Sequence, residues 1–146
     1  MQIFIDADGC PVTDLTIRLA MQFHIPCTVV CDTSHEIHRP CAETVTVSKG
    51  ADSVDFALVN RISTGDIVVT QDYGLAAMCL SRRAIPIHQD GMIYTNENID
   101  SLLFFRAAAK KIRNAGGRLK GPSARTKAQD QAFAAALEKL LREVCP

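Results

Sequence analysis

MQIFIDADGCPV (residues 1–12) is the stretch from which the fold is read. Ile3-Phe4-Ile5 is a short apolar run with the look of a buried strand, and it ends on Asp6, with Asp8 two residues later. Gly9 and Pro11 break the strand pattern, and Pro11 suits the first turn of a helix. A buried strand that delivers two carboxylates at its C-terminal end needs a partner for that charge. A divalent cation is the obvious one.

The chain outward from this stretch alternates strands with helices. Leu15, Leu19 and Phe23, with Ile17 and Met21 beside them, carry a helical stripe to about His24, where Pro26 stops it. Cys27 to Cys31 reads as a buried strand, residues 32–43 as a polar loop, and Thr44 to Ser48 as a third strand. Asp52 is expected to cap a helix to Ile62, with Ala51, Val54, Asp55, Leu58 and Ile62 near one face. Ile67 to Thr70 is a fourth strand, Gly74 to Leu80 a helix, and Ala84 to His88 a fifth strand whose Pro86 fits a sheet edge. Met92 to Thr95 adds a possible small strand. Thr95 or Asn96 caps a helix through Leu102, Leu103, Arg106 and Ile112, which the glycines after Ala115 end. Thr126 and Gln129 form a capping box for a last helix carrying Phe133, Leu137, Leu140 and Leu141.

This order predicts an α/β fold, a three-layer α/β/α sandwich with a mostly parallel central sheet, Rossmann-like in plan. The 146 residues fit one domain, 1–146, whose basic helical part begins at about residue 96. No apolar run reaches the length of a membrane span, and the N-terminus lacks a basic-then-apolar signal pattern, so a cytoplasmic protein with no membrane partner is expected. The six cysteines are then read as free thiols. Cys31, His35, His38 and Cys41 have a zinc-like spacing crowded into one short loop. They are read as two surface histidines beside unpaired thiols.

In such sheets ligands collect outside the carboxyl ends of the strands, where strand order reverses. That rule gathers Asp6 and Asp8 after the first strand, Asp52 and Asp55 at the helix after the third, and Asp72 after the fourth. Asp66 precedes its strand and falls at the opposite rim. Carboxylates sharing a cleft repel unless cations neutralise them, and Mg²⁺ or Mn²⁺ suits oxygen ligands while keeping waters, one of which becomes a nucleophile toward a phosphate ester.

The formal net charge of zero conceals a split. Residues 1–100 carry 13 acids against 6 Lys and Arg, and residues 101–146 carry 10 Lys and Arg against 3 acids. Such asymmetry points to a polyanionic partner. Lys49, Arg113, Arg118, Lys120, Arg125 and Lys127 are the candidate phosphate contacts, several of them in the glycine-rich loop from Gly116. Aromatic residues are few, and Tyr73, next to Asp72, is the candidate for base stacking.

The opening stretch, with KGADSVDFALV (49–59), DIVVTQDYGLA (66–76), YTNENID (94–100) and GGRLKGP (116–122), resembles the YaiI/YqxD family of bacterial proteins, related to PIN and NYN nuclease-like domains. Gly9 stands where that family's opening motif has alanine. The resemblance implies a PIN-like fold and a Mg²⁺- or Mn²⁺-dependent nuclease that cuts RNA. It implies metal-binding and catalytic roles for Asp6, Asp72 and a middle acid, Asp52 or Asp55, with Asp8 as an additional acid. Asp55 is the preferred middle ligand, because Asp52 is expected to serve as a helix cap. Two alternatives are weighed. The opening also resembles haloacid-dehalogenase-like phosphatases, with Asp6 as nucleophile, though Gly65-Asp66 precedes rather than follows a strand. A non-catalytic RNA-binding module is the other, and a homodimer is left open.

Overall fold

β1 (Ile3–Asp6) is the central strand of a five-stranded sheet completed by β2 (Cys27–Asp32), β3 (Glu43–Val47), β4 (Ile67–Val69) and β5 (Ile85–Ile87). The order is β3-β2-β1-β4-β5 and every pairing is parallel, with Ile3 opposite both Cys27 and Ile67. A computed structural model describes residues 1–50, 52–118 and 124–145. Ala51, Lys120 and most of the glycine-rich loop named above lie outside the described residues. Among the described residues the sheet is accompanied by five helices: α1 (Thr13–Gln22), α2 (Ser53–Arg61), α3 (Tyr73–Ser81), α4 (Asn96–Asn114) and α5 (Lys127–Val144).

Strand alternation makes the three layers. Ile3 and Ile5, with Val29, Ile67 and Val69, face α1 and α5 and pack on Ile17, Ala20, Phe133, Leu137 and Leu141. Phe4, Val30 and Val68 point the other way, onto Leu58 of α2 and Leu75 and Cys79 of α3. α4 lies outside α3, where Ile99, Leu102 and Leu103 meet Ala76 and Tyr94. Asp6, two residues after Phe4, belongs to the α2–α3 side. None of the described helices is long and apolar enough to cross a membrane.

Several local expectations shift. β2 runs one residue further, so Asp32 is a strand end rather than a loop residue. α1 stops at Gln22, because His24 takes a left-handed conformation (φ 57°). Its buried residues are Thr13, Thr16, Ile17, Leu19 and Ala20, preceded by Val12, so Ile17 and Leu19 of the expected stripe face inward while Met21 is half exposed. Thr16 can be buried there because its hydroxyl donates to the Val12 carbonyl at 2.7 Å. Residues 92–95 contribute an isolated antiparallel bridge, Ile87 with Ile93, instead of a strand. Pro86 does sit in an edge strand, and the Thr95–Asn98 and Thr126–Gln129 capping boxes both form. Cys31 is fully buried in β2, which removes it from any zinc cluster with His35, His38 and Cys41. The cysteines are all free thiols.

Phe133 anchors α5 against the sheet and is fully buried. Phe133→Ala is expected to lower the unfolding free energy by about 3–5 kcal/mol in urea titrations. Phe104→Ala, in a side chain 69% exposed on α4, should change it by no more than about 0.5 kcal/mol.

Candidate functional site

β1 lies between β2 and β4, and the chain leaves it in one direction toward β2 and β3 and returns through α2 to β4 on its other side. At the C-terminal ends of these strands this arrangement opens the crevice in which α/β folds bind ligands. A cleft of about 240 Å³ occupies that position, lined by Asp6, Asp8, Asp32, Asp52, Asp55 and Asp72 with Gly50, Ser53, Val54 and Gln71. Five of its six aspartates are those the strand ends single out in the sequence. The sixth, Asp32, follows the apolar run of β2 as Asp6 follows that of β1, so the same rule applied to the longer strand would have found it.

Asp6 is held from below. Its Oδ2 accepts a hydrogen bond from the Thr70 hydroxyl at 2.8 Å, and the same hydroxyl receives the Asp72 backbone N–H at 3.0 Å. Thr70 is itself fixed: its N–H donates to Ile87 O and its carbonyl accepts from the buried Tyr94 hydroxyl at 3.1 Å. One buried threonine thus sets the spacing between the acids ending β1 and following β4. Asp72 caps α3, its Oδ1 accepting from Gly74 N at 2.8 Å and Leu75 N at 3.2 Å. Arg106 of α4 places Nη1 3.5 Å from that same oxygen. Arg106 was not among the candidate site residues. Its signal is an arginine continuing the inward stripe of Ile99, Leu102 and Leu103.

Gly9, at φ 66°, turns the chain after Asp8, and a Cβ there would come within 3.3 Å of Gln71 Nε2. Asp8 is more peripheral than Asp6, with its Oδ1 3.5 Å from His35 Nδ1, while Asp32 Oδ1 caps the turn at Ser34 N. Asp52 occupies the N-cap position of α2 in a left-handed conformation (φ 64°), and its side chain makes no capping bond. Asp52 is therefore not engaged as a cap, which removes the reason for preferring Asp55. Both carboxylates line the cleft. Aspartate tolerates this left-handed conformation better than most residues, and among the described residues His24 and Arg83, which do not line the cleft, share it.

The electrostatics follow from crowding. Burial pushes the Asp6 carboxyl up to about 6 against the lowering effect of the Thr70 hydroxyl, and the Asp72 and Asp8 carboxylates push it further. Burial also raises Asp55 to about 6, with Asp72, Asp6 and Asp52 adding to the rise and Arg106 opposing it. Among the described residues, however, no three His, Cys, Asp or Glu side chains stand close enough together to clasp a metal ion. Each of Asp6, Asp8 and Asp72 has an oxygen turned to a protein donor or to His35, as expected of acids that repel one another. The donor set still suits a hard divalent cation, since it is all oxygen and Mg²⁺ commonly binds through one or two carboxylates plus waters. Cys10, on the turn after Asp8, has its thiol raised by burial, which disfavours a nucleophilic thiolate.

The basic candidates separate. Arg125 is spent on structure: it donates to Asp130 Oδ1 (2.7 Å), Asp90 Oδ1 (2.6 Å) and the Gln89 carbonyl (2.6 Å), pinning the start of α5 to the turn after β5. Lys49, next to Gly50 of the cleft, and Arg113, Arg118 and Lys127 are exposed. Tyr73 packs edge-to-face on Tyr94, with centroids 6.0 Å apart, in the contact between α3 and α4. Asp66 lies at the far end of the sheet, buried and accepting from Gln2 N and Ser63 N.

The family model described as "Uncharacterized BCR, YaiI/YqxD family" matches residues 4–143. The chain belongs to the YaiI/YqxD family. Curated relatives match over nearly full length. A UPF0178 protein of Exiguobacterium sibiricum is 54% identical over 143 residues, 98% of each chain. Others from Ruminiclostridium cellulolyticum and Clostridium acetobutylicum are 49% and 46% identical, covering at least 90% of both chains. No solved structure matches. The YaiI/YqxD family match spans every strand of the sheet except its first residue, Ile3.

A carboxyl whose pKa is raised on folding binds its proton more tightly in the folded chain. Its contribution to stability is full below the unfolded value near 3.8 and is lost as pH rises through about 6. Without divalent cations the protein should therefore lose stability between those values. Asp6→Asn, which keeps an acceptor for Thr70, should raise stability at pH 7 by about 2–3 kcal/mol and flatten this slope in urea titrations across the pH range.

Proposed function

We propose that the cleft binds Mg²⁺ or Mn²⁺ and that the protein is a nuclease, hydrolysing phosphodiester bonds with RNA as its first substrate. The observation that carries this reading is that six aspartates line one cleft at the switch point of the sheet, with Asp6 and Asp55 both raised to about 6. Nothing in a purely structural role explains maintaining that repulsion. The family resemblance to PIN-like nucleases, with acids in the corresponding order, supports the same reading.

A bound divalent cation would supply neutralisation of the carboxylates, polarisation of a phosphoryl oxygen and acidification of a water. The protein's own residues do the rest. Asp6, braced by Thr70, and Asp72, braced by the first turn of α3, are the ligands whose positions are fixed most firmly. Asp55, on the first turn of α2 and lining the cleft, would hold the cation or take a proton from attacking water. Asp52 and Asp8 extend the carboxylate rim, and Arg106 offers a fork of donors to a phosphate oxygen. Free thiols throughout suit a cytoplasmic setting.

Labelled RNA and DNA incubated with Mn²⁺ test the reading, alongside calorimetric Mn²⁺ titration. Wild type should cut and should bind the ion, and Asp6→Asn should reduce cutting roughly 100-fold or more. If Asp72→Asn left both Mn²⁺ binding and cleavage unchanged, the carboxylate assignment would be wrong. Nucleic-acid binding with no Mn²⁺ site would instead favour the non-catalytic module.

A further inference from the structure

α4 changes character half-way along its length of about 28 Å. Ile99, Leu102, Leu103, Arg106, Lys110 and Arg113 recur at spacings of three and four, so they share one face. The first three pack on α3, Arg106 reaches Asp72 at the rim of the cleft, and Lys110 and Arg113 carry the stripe on past the rim as exposed cations. From Phe104 to Arg118 the sequence holds five Lys and Arg and no acid, in contrast to the acidic body on which the helix rests.

The same half leaves two aromatic rings in water. Phe104 and Phe105 are 69% and 65% exposed and touch only edge-to-face, with centroids 5.9 Å apart. Large rings left exposed together mark a surface awaiting a partner. Phe104 shares its side of the helix with Asp100 one turn earlier, whereas Phe105 lies about a quarter turn from Arg106 and Arg113 with no acid one turn away. A ring flanking a row of cations matches what single-stranded nucleic acid requires: charges for the phosphates and a flat face for an unstacked base. Duplex nucleic acid keeps its bases stacked and offers the rings nothing.

We propose that the outer half of α4 is a grip for single-stranded nucleic acid, with Lys110 and Arg113 holding phosphates, Phe105 stacking a base, and Arg106 passing the strand to the acidic cleft. The grip rests on the reading of the cleft as a phosphodiester site, so binding is measured apart from cutting. Fluorescence anisotropy in EDTA, with labelled U-RNA or dT-DNA strands of about 12 nucleotides, serves for this. Wild type should bind either strand, with a duplex of equal length competing at least tenfold less well. Lys110→Ala with Arg113→Ala should weaken binding at least tenfold and lower the slope of log affinity against log salt by about two. Phe105→Ala should weaken it roughly 5- to 100-fold with the salt slope unchanged. Lys139→Ala, on α5 across the sheet, should have no effect.

Circular dichroism confirms that each variant folds. Equal binding by the double variant and wild type, or by duplex and single strand, would overturn the grip. So would Phe104→Ala or Phe105→Ala altering the mass in light scattering while binding stays intact, since the rings would then join two copies of the chain. A strand bound through α4 but uncut in Mn²⁺ would leave the grip standing and remove the nuclease. A strand cut in Mn²⁺ by a double variant that binds as well as wild type would do the reverse.

Discussion

Mutual repulsion among carboxylates held in one partly buried cleft is the constraint to which the rest of this structure answers. Asp6 cannot retreat into solvent, because it ends a strand whose other residues are fully or almost fully buried. Its pKa of about 6 measures how poorly water and Thr70 together compensate its charge. The fold bears that cost through rigidity. Thr70 is tied by backbone or side chain to Asp6, Asp72, Ile87 and Tyr94, so the acids after two neighbouring strands move as one unit. Natural proteins keep such strained, destabilising clusters where activity requires them.

The two faces of the sheet share the work unequally. α1 and α5 cover one face with a largely apolar contact, and no acid of the cleft comes from their helices. α2 and α3 cover the other, and their N-terminal ends form two walls of the cleft. At the start of α3 the dipole and two backbone N–H groups meet Asp72. At the start of α2 Asp52 takes the N-cap position without capping, in a backbone conformation that other residues reach only at a cost. One helix start is satisfied and positions its acid firmly. The other is left open toward the cleft.

The sequence made the architecture legible because its strands are short apolar runs separated by turn residues, and period-two alternation then assigns each side chain to a layer. Five cleft acids were legible for the same reason: Asp6, Asp8 and Asp72 closely follow apolar runs, and Asp52 and Asp55 open the helix after the third strand, so all five fall at the carboxyl ends of the strands. What was not legible depended on tertiary partners. Asp52 looked like a cap because aspartate favours that position, and only the backbone angle reveals that its side chain serves no cap. Arg125 looked like a phosphate ligand in a basic segment, yet the nearby Asp130 and two acceptors distant in sequence, Asp90 and the Gln89 carbonyl, claim its guanidinium. Tyr73 looked available next to Asp72, but α4 folds over it. Arg106 was passed over within a helix already read as basic, because only the packing of α4 on α3 brings its guanidinium to Asp72.

On the proposed reading, the opposed charges of cleft and helix answer a common problem for an acidic site that is to meet a polyanion. Left alone, the carboxylates of the cleft would repel a phosphate backbone as strongly as they repel one another. A cation within the cleft lowers that barrier locally but offers no hold on the neighbouring nucleotides. An acid-free helix half beginning at the rim would supply the hold, and Arg106, shared between the helix and Asp72, would join the two potentials at a single point. The net charge of zero is thus the sum of two strong fields on one surface. Salt screens the exposed field of α4 more than the partly buried field of the cleft, so rising ionic strength should act first on capture of the strand and only later on chemistry.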